Sequence, residues 1–468
     1  VFHLCENHCI NKIRKIMIKD IRNYRLLEKY NIAAPRYTSY PTVPYWQTEK
    51  PAEMLWIQRI KETFSKNPEI SLYIHLPFCE NLCTYCGCNK RITKNHGVET
   101  PYMNAVLKEW QMYLDVLPTK PILKEIHLGG GTPTFFQAEN LKILLGKIID
   151  SAIIPENHEF GLEVHPNTTS VYQLQVLRDL GFDRVSIGVQ DIDEEILKAI
   201  HRFQTKEQIE NLTFAAREMG YKSINYDLIF GLPKQKLSHI LDTMNYLKDL
   251  KPDRIAFYSY AHVPWKSKSQ RGYSEADLPT GEAKRELYEV GKAKLEEMGY
   301  VEIGMDHFAL KSDDLYKAFE AKTMHRNFMG YTPFHTDLLI GLGTSAISDA
   351  WTAFAQNEKT VEEYQDRVEA GNLPFFRGHL LTDEDTLVRQ HILNLMCHFE
   401  TTWNEPNSIF ADAIIKLQPM IEDDLVEVTS NSIRIKKAGE PFVRNVCMAL
   451  DARLLRNQPK VALFSSVV

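Results

Sequence analysis

LYIHLPFCENLCTYCGCNK, residues 72–90, places Cys79, Cys83, Cys86 and Cys88 directly after an apolar run that reads as a buried strand. The 468 residues hold eight cysteines in all, so composition alone predicts fewer than one in any ten consecutive positions. In a reducing compartment such a density of thiols points to metal or redox chemistry rather than to disulfides. Zinc takes four ligands, usually as two pairs across a linker, whereas the spacing here is C-x3-C-x2-C-x-C with no second knuckle. An iron–sulfur cube is held by thiolates, and three of them leave one iron open to another ligand. The spacing favours three binding thiols, with Cys88, one residue past Cys86, standing aside. A structural zinc site is the rival.

Composition narrows the class further. Apolar residues make up 44% of the chain, enough for a substantial core in one large domain or two to three smaller ones. Acids and bases are interspersed at a net charge of −6, which leaves no polybasic field for nucleic acid or an anionic membrane. No run of about 18 apolar residues is present, so no membrane span is expected. VFHLCENHCINKIRK, at residues 1–15, lacks the apolar stretch and small-residue cleavage site of a secretory signal. A cytoplasmic protein is expected.

Apolar or alternating runs recur at SLYIHLPF (71–78), EIHLGGGTP (125–133), FGLEVHP (160–166), RVSIGVQ (184–190), INYDLIFGLP (224–233) and RIAFYSYAHVP (254–264). Segments of helical period separate them, among them SVYQLQVLRDLGF (170–182), EQIENLTFAAREMGY (207–221) and LSHILDTMNYLKDLKP (237–252). Six strands alternating with helices predict an α/β protein of parallel units, either a partial barrel or an open wound sheet. Ligands in both architectures sit at the C-terminal ends of the strands. Those ends carry the cysteines, Gly129-Gly130-Gly131-Thr132, Glu163, Gln190, Asp227, and Ala261 with His262.

C-x3-C-x2-C after a strand, followed by a Gly-Gly-Gly-Thr-Pro turn, resembles the radical S-adenosylmethionine superfamily. Within it, the extension to Cys88, PRYTSYPT (35–42), GVQD (188–191), DLIFGLPKQ (227–235), GMDHFA (304–309) and HRNFMGYT (325–332) resemble the oxygen-independent coproporphyrinogen III oxidases, or dehydrogenases, from about residue 20 onward. The resemblance implies a partial (β/α)6 radical-SAM barrel over residues 71–375. An N-terminal helix and substrate-side arm over 17–70 would precede it, and a small, mainly helical domain over 376–468 would follow. It implies a [4Fe–4S] cluster on Cys79, Cys83 and Cys86, with S-adenosylmethionine on the open iron beside Tyr73, Gly130, Glu163 and Ile347. It also implies a second S-adenosylmethionine lined by Tyr85, Gly131, Thr132, Gln190, Arg202, Asp227 and Ala261. The residue types suit this: glycines admit close backbone approach, and carboxylates accept from ribose hydroxyls or an ammonium. His165 stands where the family more often has Asp.

The reaction so implied is anaerobic: a 5′-deoxyadenosyl radical removes hydrogen from propionate side chains of coproporphyrinogen III. Loss of carbon dioxide from two of them leaves vinyl groups, giving protoporphyrinogen IX. The substrate's carboxylates call for guanidinium donors. Arg36 and Arg326 are the candidates, with Cys88 a further candidate for a role in substrate handling or catalysis. A low-potential donor such as flavodoxin or ferredoxin is implied, and a monomer is expected. The rivals are a related haem chaperone that binds haem, and a zinc-stabilised nucleic-acid-binding protein. The C-x-C extension and the PRYTSYPT arm speak against the first, and the scarcity of basic charge near the C-terminal hairpin and helix (424–451) against the second. Cys397 and Cys447 lie in apolar helical patterns and read as packing residues. Residues 1–16, with Cys5 and Cys9, carry no assignable motif and are expected to be an extension without function.

Overall fold

The computed structural model describes residues 21–47, 53–264, 268–279, 281–405, 407–459 and 464. Residues 1–16, with Cys5 and Cys9, lie outside the described residues. The predicted runs become six parallel strands: β1 (Glu69–Leu76), β2 (Ile122–Gly130), β3 (Glu159–Val164), β4 (Arg184–Gln190), β5 (Ser223–Phe230) and β6 (Arg254–Ser259). They join β7 (Tyr300–Gly304), β8 (His307–Leu310), β9 (Leu338–Leu342), β10 (Ile347–Asp349), β11 (Ala353–Asn357) and β12 (Phe375–Leu380). The order across this twelve-stranded sheet is β12-β11-β10-β9-β1-β2-β3-β4-β5-β6-β8-β7. β9 lies parallel beside β1 and extends the parallel set by one strand beyond the six.

The two faces of the strands differ sharply. Leu72, Ile74, Ile126, Leu128, Phe160, Leu162, Val185, Ile187, Ile224, Leu228, Ile255 and Phe257 belong to one apolar core together with residues of the covering helices. Alternate positions point the other way, because side chains in a strand alternate between faces. These positions carry His127, Glu163, Arg184, Ser186, Asn225, Asp227, Arg254 and Tyr258, which line one cavity. The covering helices start where their sequences cap them. Ser170 with Gln173, and Thr205 with Gln208, form capping boxes at Val171–Asp179 and Lys206–Glu218.

A second core lies outside the sheet. Leu26, Tyr30, Tyr37 and Tyr40 of the N-terminal arm pack with Val388, Ile392, Leu395, Phe410, Leu417, Val446 and Leu450. Tyr37 donates to Asp451 at 3.0 Å. The arm is therefore bound to the C-terminal helices, while the next helix, Glu53–Lys66, buries Trp56, Ile60 and Phe64 in the main core. The C-terminal region contains helices Asp383–His398, Ser408–Glu422 and Val443–Leu450 around a three-stranded sheet. Because β12 runs to Leu380, residues 376–380 stay with the large sheet. Cys397 and Cys447 are buried, as their helical patterns predict.

Candidate active site

The loop after β1 carries all four clustered thiols, and the turn after β2 holds it in place. Gly131 N–H donates to Leu76 O and Thr132 N–H to Phe78 O, both at 2.9 Å. A Cβ on Gly131 would stand 2.5 Å from Pro77 O, so a side chain at this position would push the two segments apart. On the far side, Thr93 N–H donates to Cys79 O at 2.9 Å, and Asn89 O meets His75 Nε2 at 2.9 Å. The Gly-Gly-Gly-Thr turn thus fixes where the thiols sit.

Cys79, Cys83, Cys86 and Cys88 are unpaired and line a cavity of about 420 Å³. Burial pushes the Cys79 thiol up to about 11. A hydrogen bond from Cys88 brings Cys86 down to about 6, and the same contact holds Cys88 well above its ordinary value. Arg202 Nη1 lies 3.7 Å from Cys83 Sγ and donates to Tyr85 OH at 3.2 Å. Among the described residues no three His, Cys, Asp or Glu side chains gather round a single-ion position. Soft thiolates on one loop, spread along a cavity wall with cationic Lys90 and Arg202 beside them, suit an anionic cube.

Besides Glu80 of the cysteine loop, two carboxylates from the strands face this cavity. Glu163 meets His127 Nε2 at 3.2 Å; burial alone would push its carboxyl up, but that hydrogen bond holds it below its usual value. Asp227 accepts from Ser186 Oγ and Asn225 Nδ2, each at 3.0 Å, and burial together with the nearby Glu163 raises it to about 6. It lies three residues before the end of β5 rather than at its tip. Gln190 has a left-handed backbone, φ 66°. Arg202 Nη2 donates to Gly188 O beside it. His165 lines the same space, its imidazole pushed down to about 2 by burial and Arg202.

Not every expected residue faces this cavity. Tyr73 is not among the residues lining it, but its ring stacks on that of His127, which is, and its hydroxyl lies 3.0 Å from His75 Nδ1. Ile347 opens β10, and its carbonyl lies against Gly341. Ala261 lines a separate cavity of about 70 Å³, and its carbonyl shares Gln270 Nε2 with Tyr85 O. Arg36 lines that small cavity and pairs with Asp306 at 2.9 Å. Arg326 is buried over the Tyr331 ring at 4.4 Å and donates to Arg36 O at 3.3 Å, while its Nε and Nη1 have no hydrogen-bond partner among the described residues. Neither arginine lines the 420 Å³ cavity. His127, Arg184, Ser186, Asn225, Arg254, Tyr258 and His307 do, and the strand-end rule missed them. Their signal was the polar residue at every second position of otherwise apolar strands.

A thiol loop, a glycine turn and two carboxylates at the C-terminal side of a parallel sheet define a radical S-adenosylmethionine protein. A model of the Radical SAM superfamily matches residues 73–247. The oxygen-independent coproporphyrinogen III oxidase of Pseudomonas aeruginosa is 37% identical over 92% of this chain and 95% of its own length. That of Synechocystis is 33% identical over 95% and 97%. Among solved structures, coproporphyrinogen III oxidase from Escherichia coli, described as a radical SAM enzyme, superposes with a TM-score of 0.85 at 34% identity, over 89% of this chain and 97% of that one. The chain belongs to the family of oxygen-independent coproporphyrinogen III oxidases.

Proposed function

We propose that this enzyme carries out the anaerobic oxidative decarboxylation of two propionate side chains of coproporphyrinogen III, giving the vinyl groups of protoporphyrinogen IX. The observation that carries this is the convergence of Cys79, Cys83, Cys86, Glu163 and Asp227 on one cavity in a chain of this family. Cys79, Cys83 and Cys86 hold a [4Fe–4S] cluster, and Tyr73, Gly130, Glu163 and Ile347 surround the S-adenosylmethionine that completes it. When bound, that pair supplies a 5′-deoxyadenosyl radical able to take hydrogen from carbon. The protein's part is orientation and the exclusion of water. Glu163 stays ionised to receive an ammonium, Gly131 keeps the backbone close, and Ile229 and Tyr258 present apolar and aromatic surface to the cavity.

A second S-adenosylmethionine would sit against Tyr85, Gly131, Thr132, Gln190, Arg202, Asp227 and Ala261. Asp227 supports this, since it is a second cavity-facing carboxylate that touches no thiol and is braced by Ser186 and Asn225. Ala261 would take part through the Gln270 bridge to Tyr85. Arg36 and Arg326 remain candidates for the propionates from the inner side; the free Nε and Nη1 of Arg326 are what favours it. Cys88 would act beside the cluster rather than as a ligand. Flavodoxin or ferredoxin would deliver the electron to a monomeric cytoplasmic protein. Among the described residues no helix is long and apolar enough to cross a membrane.

Anaerobically reconstituted protein, given a low-potential reductant, S-adenosylmethionine and coproporphyrinogen III, should release carbon dioxide and yield protoporphyrin after oxidation. Cofactor cleavage without vinyl product, combined with stoichiometric haem binding, would replace this function by haem carriage. Zinc without acid-labile sulfide would remove the radical chemistry altogether.

A further inference from the structure

Glu163 is attached to a chain of polar and charged side chains drawn from β2, β3, β4 and β6. His127 on β2 is in register with Gly161 on β3, which is in register with Arg184 on β4. Neighbouring strands are about 4.8 Å apart, so only a long side chain reaches across the middle one. Gly161 leaves that passage open, because a Cβ there would lie 2.5 Å from Arg184 Nη2. The guanidinium passes over it to His127 Nδ1 at 3.0 Å, while its Nε donates to Glu159 at 2.8 Å. Glu159 in turn accepts from Arg254 Nη2 at 2.7 Å, and Arg254 Nε reaches Asp313 at 2.7 Å. The Tyr73 ring stacks on the His127 ring at 6.1 Å. Gly129 makes room in the same way, since a Cβ there would meet Glu163 and Tyr73 at 3.1 Å.

A guanidinium only donates hydrogen bonds. His127 Nδ1 therefore accepts, and the proton of the imidazole sits on Nε2, facing Glu163 Oε1 at 3.2 Å. We infer that His127 is a positioning residue whose tautomer is set by Arg184, and that its Nε2–H orients the Glu163 carboxylate toward the ammonium of the S-adenosylmethionine that completes the cluster. The inference rests on the proposed role of Glu163. With the carboxylate's inner oxygen occupied by His127, the other is left to the cofactor. The Gly161 slot belongs to the same contact, since a Cβ there would press on the Arg184 guanidinium and loosen its hold on His127 Nδ1.

Two amide substitutions separate orientation from packing. Glutamine matches the reach of imidazole Nε2, and asparagine matches only Nδ1, so His127→Gln keeps the donor to Glu163 while His127→Asn loses it. Binding of S-adenosylmethionine is followed anaerobically by the change in the electron paramagnetic resonance signal of the reduced cluster, with iron and sulfide measured alongside. Relative to the unsubstituted protein, affinity should fall about ten- to a hundredfold in His127→Asn and in Glu163→Gln, and stay within about threefold in His127→Gln, at equal iron content. Equal binding by the Asn and Gln variants, with Glu163→Gln impaired, overturns the positioning role. Unimpaired binding in Glu163→Gln instead overturns the assignment of Glu163 on which it rests.

Discussion

Cys88 and Asp227 show how neighbours decide what one side chain does. Cys88 is exposed and hydrogen-bonds Cys86, the thiol it brings down to about 6. In the cluster-loaded protein Cys79→Ala, Cys83→Ala and Cys86→Ala should each lose iron and acid-labile sulfide, whereas Cys88→Ala should keep both; loss of the cluster from a folded Cys88 variant would show the ligand set to be wrong. Burial, together with the nearby Glu163, pushes the Asp227 carboxyl up to about 6. Its charged form is the one that receives an ammonium or ribose hydroxyl, so it is depleted as the pH drops through 6. Binding of a second S-adenosylmethionine should weaken below that pH, and Asp227→Ala should lower bound cofactor from two equivalents toward one with the cluster absorbance intact. Equilibrium dialysis at several pH values measures both, and unchanged stoichiometry in Asp227→Ala would reduce Asp227 to a brace for Ser186 and Asn225.

At the scale of elements, the site depends on the junction between the cysteine loop and the turn after β2. Gly131 lies 2.5 Å, measured from where its Cβ would be, from Pro77 O and 2.8 Å from Phe78 O. These are backbone atoms, which cannot swing aside as a side-chain tip would. Gly131→Ala should cost about 1–3 kcal/mol of overpacking strain. The strain should appear as a lower iron content after reconstitution and faster cluster loss under chelation, with circular dichroism little changed. Iron retention equal to that of the unsubstituted protein would mean that the loop yields and that the turn does not govern it. A second junction holds the loops after β4 and β5: Gln235 donates to Asp191 and to Ile229 O, and accepts from Gly231 N–H at 2.6 Å. This explains why GVQD and DLIFGLPKQ, far apart in the chain, act on one side of the same cavity.

For the molecule as a whole, the cost of placing charges inside the sheet is met by pairing them. Burial alone would push the Glu159 carboxyl up, but Arg254 and Arg184 more than offset this and bring it down to about 2. A carboxyl depressed by folding contributes stability above its unfolded value and loses it as the pH falls through the folded one. Glu159 should therefore supply on the order of 3 kcal/mol at neutral pH, vanishing between about pH 4 and pH 2. Urea midpoints measured across that window should fall steeply in the unsubstituted protein. In Glu159→Gln they should start lower and change less; parallel curves would assign the acid sensitivity elsewhere. The arm adds a second dependence, because Tyr30, Tyr37 and Tyr40 complete the core of the C-terminal region, and the sheet then shares Arg36 with it through Asp306.

Features that depend on neighbours along the chain can be read from the residues alone. The spacing of Cys79, Cys83 and Cys86, the Gly129–Thr132 turn, the alternation of six strands with helices and the family of the chain were all legible, because thiol spacing, backbone freedom at glycine and hydrophobic period are local properties. The hairpin and helix within residues 424–451 were legible for the same reason. Which distant side chains meet depends instead on how the strands and helices pack. Period two places His127, Arg184 and Arg254 each on one face of a strand, but sheet register brings them into a chain ending on Glu163, and register follows from the pairing of whole strands. That β9 extends the parallel set beside β1, a pairing across more than two hundred residues, has no local signal. Arg36 and Arg326 show the limit most clearly. Nothing local in their motifs shows that Arg36 pairs with Asp306 or that Arg326 is buried against the Tyr331 ring; both contacts come from segments distant in the chain packing together.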